Sequence, residues 1–139
     1  MNVQKRITDE ETKELQKYIL DILLAIDKVC REHNLTYYLI AGTMLGAVRH
    51  KGFVPWDDDA DVALPRKDYN ILVKHANEWL PKRYELVSGL QDPMYPYQFA
   101  RIQDRETTYI LRRLFNFVGG LPVDVFPVDC MKDEQSHMR

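Results

Sequence analysis

Four aspartates at positions 57, 58, 59 and 61 lie within one short segment, IAGTMLGAVRHKGFVPWDDDADVALP, which spans residues 40–65. Carboxylates this close together repel one another, by about 1 kcal/mol per pair at 4 Å in water and by more near a protein. A fold tolerates such a run where a cation or a group of hydrogen-bond donors neutralises it. We therefore expect a divalent metal ion here, with a phosphate held beside it by the preceding glycines.

The residues around Gly42 predict a strand that leads into a short helix. Thr36–Ala41 is β-branched and aromatic and ends at Gly42, which indicates a strand. Thr43 is then expected to cap a helix over residues 44–48. This order of elements leaves backbone N–H groups free to bind a phosphate, although turns of this kind are also common without a ligand.

The acidic segment continues into a strand that we expect over Asp59–Leu64. The two-residue period of a strand puts Asp59 and Asp61 on one face and the apolar residues on the other. Asp124, between two valines of a later predicted strand, is the natural third ligand and would also polarise an attacking hydroxyl. Hard oxygen ligands favour Mg²⁺ or Mn²⁺, and paired carboxylates suit two-metal phosphoryl-transfer sites.

Two other interpretations of the acidic segment are weaker. Asp57, Asp59 and Asp61 fit the first positions of an EF-hand calcium loop, but Val62 occupies the position where that loop requires glycine. A solvated acidic turn without any ligand is the other alternative. The apolar alternation that directly follows the aspartates disfavours it.

Helices and strands are predicted on both sides of this segment. Thr8 and Glu11 fit a capping box at the start of a helix whose apolar stripe ends near Cys30. Pro65 fits the first turn of a second helix, and Tyr84–Val87 fits a strand.

The last third of the chain predicts a hairpin and a final strand. Residues 97–102 are expected to pair with residues 107–110 across a turn at 103–106. A turn at Gly119 and Gly120 is then expected to open the strand Leu121–Val128.

Composition and charge exclude several classes of protein. Hydrophobic residues make up 45% and charged residues 29%, which indicates a globular domain and excludes a disordered chain. The net charge of −2 gives no basic field, so no nucleic-acid partner is expected. The chain has neither a signal-peptide core nor the run of about 20 apolar residues that a transmembrane segment needs. With Cys30 and Cys130 far apart, we expect a reduced protein in the cytoplasm or at the inner face of the membrane.

The segment AGTMLGAVRHKGFVPWDDDADVALPRKDY, together with the later PVDVFPVD, resembles the LicD family of the nucleotidyltransferase-fold superfamily. That superfamily is marked by a strand ending in Gly-[Gly/Ser], an apolar-flanked [Asp/Glu]-x-[Asp/Glu] and a third carboxylate on another strand. These features correspond here to Gly42-Thr43, to Asp59 with Asp61, and to Asp124. Thr43 stands where the superfamily more often has Ser or Gly.

The resemblance covers about residues 10–130 and implies an α/β (α+β) fold, a small mixed β-sheet flanked by helices. We expect a single nucleotidyltransferase-like domain over residues 1–139, with an N-terminal helix in 1–34 and the catalytic core in 36–128. LicD-like proteins usually continue further, so the chain is expected to lack a C-terminal part of the family.

The resemblance also implies an activity. A phospho-alcohol such as phosphocholine would pass from a CDP-linked donor to a sugar hydroxyl of a glycan or lipid-linked saccharide. Mg²⁺ or Mn²⁺ would be held by Asp59, Asp61 and Asp124, which are the candidate catalytic residues. The alternatives are a nucleotidyltransferase that moves NMP to a small molecule or protein, and a non-catalytic module that binds nucleotide or glycan. The particular alcohol, the particular glycan and the oligomeric state stay open.

The candidate substrate-binding residues lie within or near these motifs: Gly42, Thr43, Arg49, Trp56, Asp57, Arg66 and Arg101. Arg49 fits a phosphate contact as well as an ion pair with Asp57 or Asp58. Trp56 suits stacking on a base or binding a choline cation on its face, or else packing as a loop anchor. Arg66 and Arg101 are expected either to contact phosphate or to form surface ion pairs.

Overall fold

The computed structural model describes residues 7–111 and 117–131. In these ranges the elements follow in the order α1 (Asp9–Glu32), β1 (Tyr38–Leu39), α2 (Ala41–His50), β2 (Asp61–Pro65), α3 (Arg66–Trp79), β3 (Tyr84–Val87), β4 (Ala100–Leu111) and β5 (Phe117–Val128). The strands form one sheet in the order β1-β2-β5-β4-β3. Since β2 and β5 are parallel and the other neighbours antiparallel, the expected small mixed sheet with flanking helices is confirmed.

Helix α1 begins as its sequence predicts. The Thr8 hydroxyl accepts the Glu11 N–H, and the Glu11 carboxylate accepts the Thr8 N–H, which completes the capping box. The buried face of the helix includes Ile22 and Ile26, which are fully buried, and Cys30, which is a free thiol in the core. The helix is therefore a core-packing element, and none of the helices in the described ranges is long and apolar enough to span a membrane.

The hydrophobic core lies on one face of the sheet. Val62 of β2 and Val123 and Val125 of β5 are fully buried in one cluster with the apolar faces of α1 and α3. Because successive side chains of a strand point to opposite faces, Asp61 and Asp124 face away from this cluster. Helices α1 and α3 thus cover one face of the sheet and leave the other for the acidic residues.

The hairpin predicted between residues 97–102 and 107–110 is wrong. Strand β4 runs without interruption from Ala100 to Leu111 and pairs with β3 on one side and β5 on the other. The polar segment that suggested a turn is held in the sheet because Asp104, which is buried, accepts two hydrogen bonds from Arg83, at 3.0 and 2.8 Å. The register of β4 against β5 shifts between Asp104 and Tyr109, so the segment contains an irregularity within one strand.

The turn predicted at Gly119 and Gly120 is also wrong, because both residues lie inside β5. Gly120 is needed there for a close approach: a Cβ atom at this position would overlap the backbone of Asp104 in the neighbouring strand. The Gly120 N–H donates to the Gln103 side chain at 3.1 Å. Gly120 therefore marks where two strands crowd together.

Other element boundaries differ slightly from the predicted ones. The strand expected over Thr36–Ala41 is limited to Tyr38–Leu39. Pro65 is the last residue of β2 and the N-cap of α3, one position before the helix. The strand Tyr84–Val87 is confirmed.

We predict that Gly120→Ala destabilises the fold by about 2 kcal/mol or more, because the added methyl group meets backbone that cannot move aside without opening β4 from β5. Urea unfolding followed by circular dichroism measures the difference. Gly89→Ala is the matched control, since a Cβ there meets nothing within 4 Å, and it should change the free energy of unfolding by less than about 0.5 kcal/mol. Equal stability of the two variants would contradict this account of the β4–β5 contact.

Candidate active site

Three charged residues form a row across adjacent strands on the face of the sheet opposite the helical core. Asp61 of β2 is paired in register with Asp124 of β5, and Asp124 is paired with Arg101 of β4. Neighbouring strands lie about 4.8 Å apart, so the two carboxylates are close neighbours. The sequence-based prediction that Asp124 joins the acidic segment from a separate strand is therefore consistent with the register of the sheet.

The contact between Arg101 and Asp124 is a buried ion pair with poor hydrogen-bond geometry. Arg101 Nε lies 2.7 Å from Asp124 Oδ1, and the side chains are 10% and 21% exposed. Both atoms are buried, yet neither makes a hydrogen bond of ordinary geometry within the described residues. The pair thus departs from the well-aligned hydrogen bond that usually accompanies burial.

Asp59 does not belong to the strand in which it was expected. Strand β2 begins at Asp61, and Asp59 is exposed just before it. The pairing of β2 with β5 nevertheless starts close by, because the Ala60 carbonyl accepts the Asp124 N–H at 3.1 Å. Asp59 is thus at the rim of the site, near enough to Asp124 for its charge to raise that residue's pKa.

The electrostatics of the site favour the binding of a cation. Burial, followed by the repulsion of neighbouring carboxylates with that of Asp124 foremost, raises the pKa of Asp61 to about 6. Although the residue is exposed overall, partial desolvation of its carboxyl raises the pKa of Asp59, with further contributions from the two preceding aspartates. Burial raises the pKa of Asp124 despite the opposing effect of Arg101. One guanidinium therefore does not compensate the negative charge of this face.

Helix α2 starts earlier than expected, and Thr43 does not cap it. The helix begins at Ala41 after Ile40, which provides no side-chain cap. The Thr43 hydroxyl instead accepts the Asp61 N–H at 2.9 Å and so ties the first turn of α2 to the start of β2. The first N–H groups of a helix have no acceptor within it, so the N-terminus of α2 presents donors beside Asp61.

Gly42 and Asp57 lie against each other at this helix start. A Cβ atom on Gly42 would lie 2.7 Å from Asp57 Oδ2, so only a glycine leaves room for the carboxylate in its present position. A negative charge is favourable at a helix N-terminus. Asp57 thus occupies part of the space in which the sequence predicted a phosphate.

Gln16 is a residue of the site that the sequence did not reveal. From α1 its side-chain amide donates to the backbone carbonyl of Asp57 at 2.7 Å and to that of Val54 at 3.3 Å. These bonds fasten the loop that carries Trp56 and the aspartates to the first helix. The contact joins residues 41 positions apart, and no local pattern marks it.

The other candidate residues are spread around the site. Arg49 is exposed and makes no ion pair with Asp57 or Asp58 within the described part of the chain. Trp56 is 77% exposed, and its ring lies edge-on to that of His50, with ring centres 6.5 Å apart. Its stacking on a base or on a choline cation stays a prediction.

The two later arginines have different environments. Arg66 forms a two-bonded pair with Asp129 at 2.7 Å on the surface, as one of the two interpretations expected. Arg101 is buried, so the expectation of a surface position is wrong for it. Its guanidinium lies 4.6 Å from the ring centre of Tyr97.

A cavity of about 630 Å³ lies between α3 and the segments that flank β3 and β4. One face of α3, with Arg66, Tyr69 and Lys74, forms one wall, and the loop containing Gln91 forms another. Tyr97 lines the cavity and also contacts Arg101, so this one side chain connects the cavity with the acidic residues.

The residues fit a hard divalent cation by their chemistry. In residues 7–111 and 117–131 no three acidic, histidine or cysteine side chains already converge on one point that could hold a metal ion. The carboxylates of Asp59, Asp61 and Asp124 are nevertheless the oxygen donors that Mg²⁺ and Mn²⁺ prefer, and they carry an excess of negative charge. The unsatisfied Asp124 Oδ1 is an acceptor that such an ion would complete.

A mixed sheet that presents carboxylates from two parallel strands, beside the N-terminus of a short helix, defines a domain of the nucleotidyltransferase type. The family comparison agrees. The profile described as LicD/FKTN/FKRP, nucleotidyltransferase domain, matches residues 34–138. The chain belongs to this family, the LicD family.

Individual relatives match shorter stretches. The lipopolysaccharide cholinephosphotransferase LicD of Haemophilus influenzae is 40% identical over 73 residues, which are 52% of this chain and 26% of that protein. An uncharacterized protein of Rickettsia typhi is 36% identical over 64 residues, which are 46% of this chain and 20% of that protein. One of Rickettsia prowazekii is 46% identical over 37 residues, 27% of this chain and 14% of that protein. The matches span about a quarter or less of these relatives' lengths.

We predict that the protein without divalent metal loses stability as the pH rises from about 4 to 6. The unfolded carboxyl of Asp61 has a pKa near 3.9 and the folded one a pKa of about 6, so the folded state binds more protons in this window. Asp61→Asn should reduce the loss by on the order of 1 kcal/mol after allowance for solvent. The raised pKa values of Asp59 and Asp124 keep part of this loss of stability in the variant.

Urea unfolding at pH 4.5 and pH 7.5 in the presence of a chelator measures this effect. Asp58→Asn, which removes an exposed carboxylate of the same loop, serves as the control and should follow the wild-type protein more closely. An Asp61→Asn variant with the wild-type pH dependence would show that Asp61 is not in the strained environment described here.

Proposed function

We propose that this chain is a metal-dependent phosphotransferase domain. It moves a phospho-alcohol, such as phosphocholine, from a CDP-linked donor to a sugar hydroxyl of a glycan, and CMP leaves. The observation that carries the proposal is the pairing of Asp61 with Asp124 on adjacent parallel strands, which concentrates carboxylates that the charges of the described residues do not fully balance. Membership of the LicD family and the match to a lipopolysaccharide cholinephosphotransferase supply the reaction class.

Asp59, Asp61 and Asp124 would hold Mg²⁺ or Mn²⁺ in this proposal. When bound, the ion would neutralise the diphosphate of the donor and stabilise the departing CMP. The N–H groups at the start of α2, at Gly42 and Thr43, bind a phosphate oxygen and fix its direction. Asp57, already next to Gly42, moves aside or bonds the substrate through water.

The chemical step is an in-line displacement at the phosphorus that carries the alcohol. The sugar oxygen forms a bond to this phosphorus as the bond to the bridging oxygen of CMP breaks. Asp124, which lies on the strand next to Asp61, takes the hydroxyl proton as the sugar oxygen attacks. Donor and acceptor reach this point through the cavity that Tyr97 lines. The positively charged and aromatic side chains of this cavity suit phosphorylated sugars or nucleosides.

We predict that Asp59→Asn and Asp61→Asn each lower CMP release from CDP-choline by about 100-fold or more, because each removes a ligand charge at the transferring phosphate. Asp58→Asn is the matched control and should retain activity within a few-fold, since its side chain is exposed outside the row. The assay uses the full chain with Mg²⁺ and a lipopolysaccharide acceptor. Near-normal turnover by the Asp59→Asn, Asp61→Asn double variant would exclude this site.

The same assay separates the two alternatives. With label in the choline methyl groups and, separately, in the cytidine ring, choline label on the acceptor supports the phosphotransferase, whereas cytidine label supports a nucleotidyltransferase that moves NMP. Calorimetry with CDP-choline and Mg²⁺ adds the third case. Binding without any CMP release would identify a non-catalytic module.

A further inference from the structure

We propose that Arg101 is an internal substitute for the metal ion: its guanidinium holds Asp124 while no cation is bound and releases the carboxylate when a cation binds. The inference rests on the metal site of the proposed function. Arg101 would thereby position Asp124, and the arginine and the divalent ion would compete for this one carboxylate.

The contact between Arg101 and Asp124 differs in geometry from two other Arg–Asp pairs of this chain. Arg83 binds Asp104 through two hydrogen bonds of 3.0 and 2.8 Å, and Arg66 binds Asp129 through two of 2.7 Å. Arg101 Nε lies 2.7 Å from Asp124 Oδ1, and neither of these two atoms makes a hydrogen bond of ordinary geometry within the described residues. A permanent structural pair would be expected to use the two-bonded geometry of the other two.

The charges around Asp124 are not balanced. Arg101 faces Asp124 directly, with Asp61 on the next strand and Asp59 at the rim. One positive charge among three carboxylates leaves an excess of negative charge. A divalent ion bound to these carboxylates offsets that excess and repels the guanidinium, so the ion and Arg101 compete for Asp124.

Arg101 has a second partner, the ring of Tyr97, that can keep its guanidinium in place. Its guanidinium already lies over the ring of Tyr97, at 4.6 Å, in a cation–π contact. Tyr97 lines the cavity next to the site. After release from Asp124, the guanidinium stays at the edge of this cavity, where it can pair with a phosphate of the substrate.

The decisive test is the affinity for Mn²⁺, measured at pH 8 by calorimetry and by the electron paramagnetic resonance of free Mn²⁺. Arg101→Gln should bind Mn²⁺ on the order of tenfold more tightly than the wild-type protein, because the ion no longer displaces a guanidinium. A residue that only supports the structure would, when replaced, weaken metal binding. Arg105→Gln is the matched control, since it removes the same charge from the same strand at an exposed pair with Glu85, and its Mn²⁺ affinity should stay within about twofold.

Each outcome is informative. Unchanged or weaker Mn²⁺ binding by Arg101→Gln, with binding by the wild-type protein intact, overturns the competition and leaves the proposed function standing. Absence of Mn²⁺ binding in the wild-type protein and in Arg101→Gln overturns both. Equal tightening by Arg105→Gln would attribute the effect to net charge alone and also overturn the competition.

A measurement on the wild-type protein avoids any dependence on the folding of Arg101→Gln. In a nuclear magnetic resonance titration with Mg²⁺, the Nε–Hε signal of Arg101 should shift as the guanidinium leaves Asp124, and the signal of Arg83 should stay in place. Arg101→Lys, which keeps the charge, should bind Mn²⁺ less tightly than Arg101→Gln. An Arg101 signal unaffected by saturating Mg²⁺ contradicts the proposal.

Discussion

The parallel pairing of β2 with β5 is the constraint on which the site depends. It sets Asp61 beside Asp124, and the alternation of side chains gives both strands a valine-rich face toward α1 and α3. The burial of Val62, Val123 and Val125 thus fixes the opposite orientation of the two carboxylates. Separating these acids would require slipping the register, which would also turn the core residues outward. Hydrophobic packing therefore stabilises an arrangement that electrostatics alone would oppose.

Polar contacts between distant segments complete what the core begins. Gln16 fastens the loop of the aspartates to α1, and Thr43 fastens the first turn of α2 to Asp61. Asn77 exchanges two hydrogen bonds with the backbone of Leu86 and so joins α3 to β3. Because each contact positions a backbone segment, the charged row is held from several directions while its own ion pair remains imperfect.

The sequence predicted the local features well because their causes are local. The capping box of Thr8 and Glu11 and the apolar period of α1 involve neighbours along the chain. The acidic segment and Asp124 were recognisable because apolar residues flank them on strands. The prediction failed where long-range contacts decide: Asp104 is kept in a strand by Arg83, and Gly120 serves a close approach between strands instead of a turn. The burial of Arg101 depends on a strand pairing that no short pattern encodes.

In the mechanism proposed here, a divalent ion takes the place of Arg101 at Asp124. A crystal grown with Mn²⁺ and CDP-choline, with the metal located by its anomalous scattering, tests it most directly. We predict anomalous density at about 2.0–2.2 Å from carboxylate oxygens of Asp61 and Asp124, with the Arg101 guanidinium withdrawn from Asp124. Well-ordered CDP-choline with no metal near these carboxylates, and Arg101 still on Asp124, would contradict it.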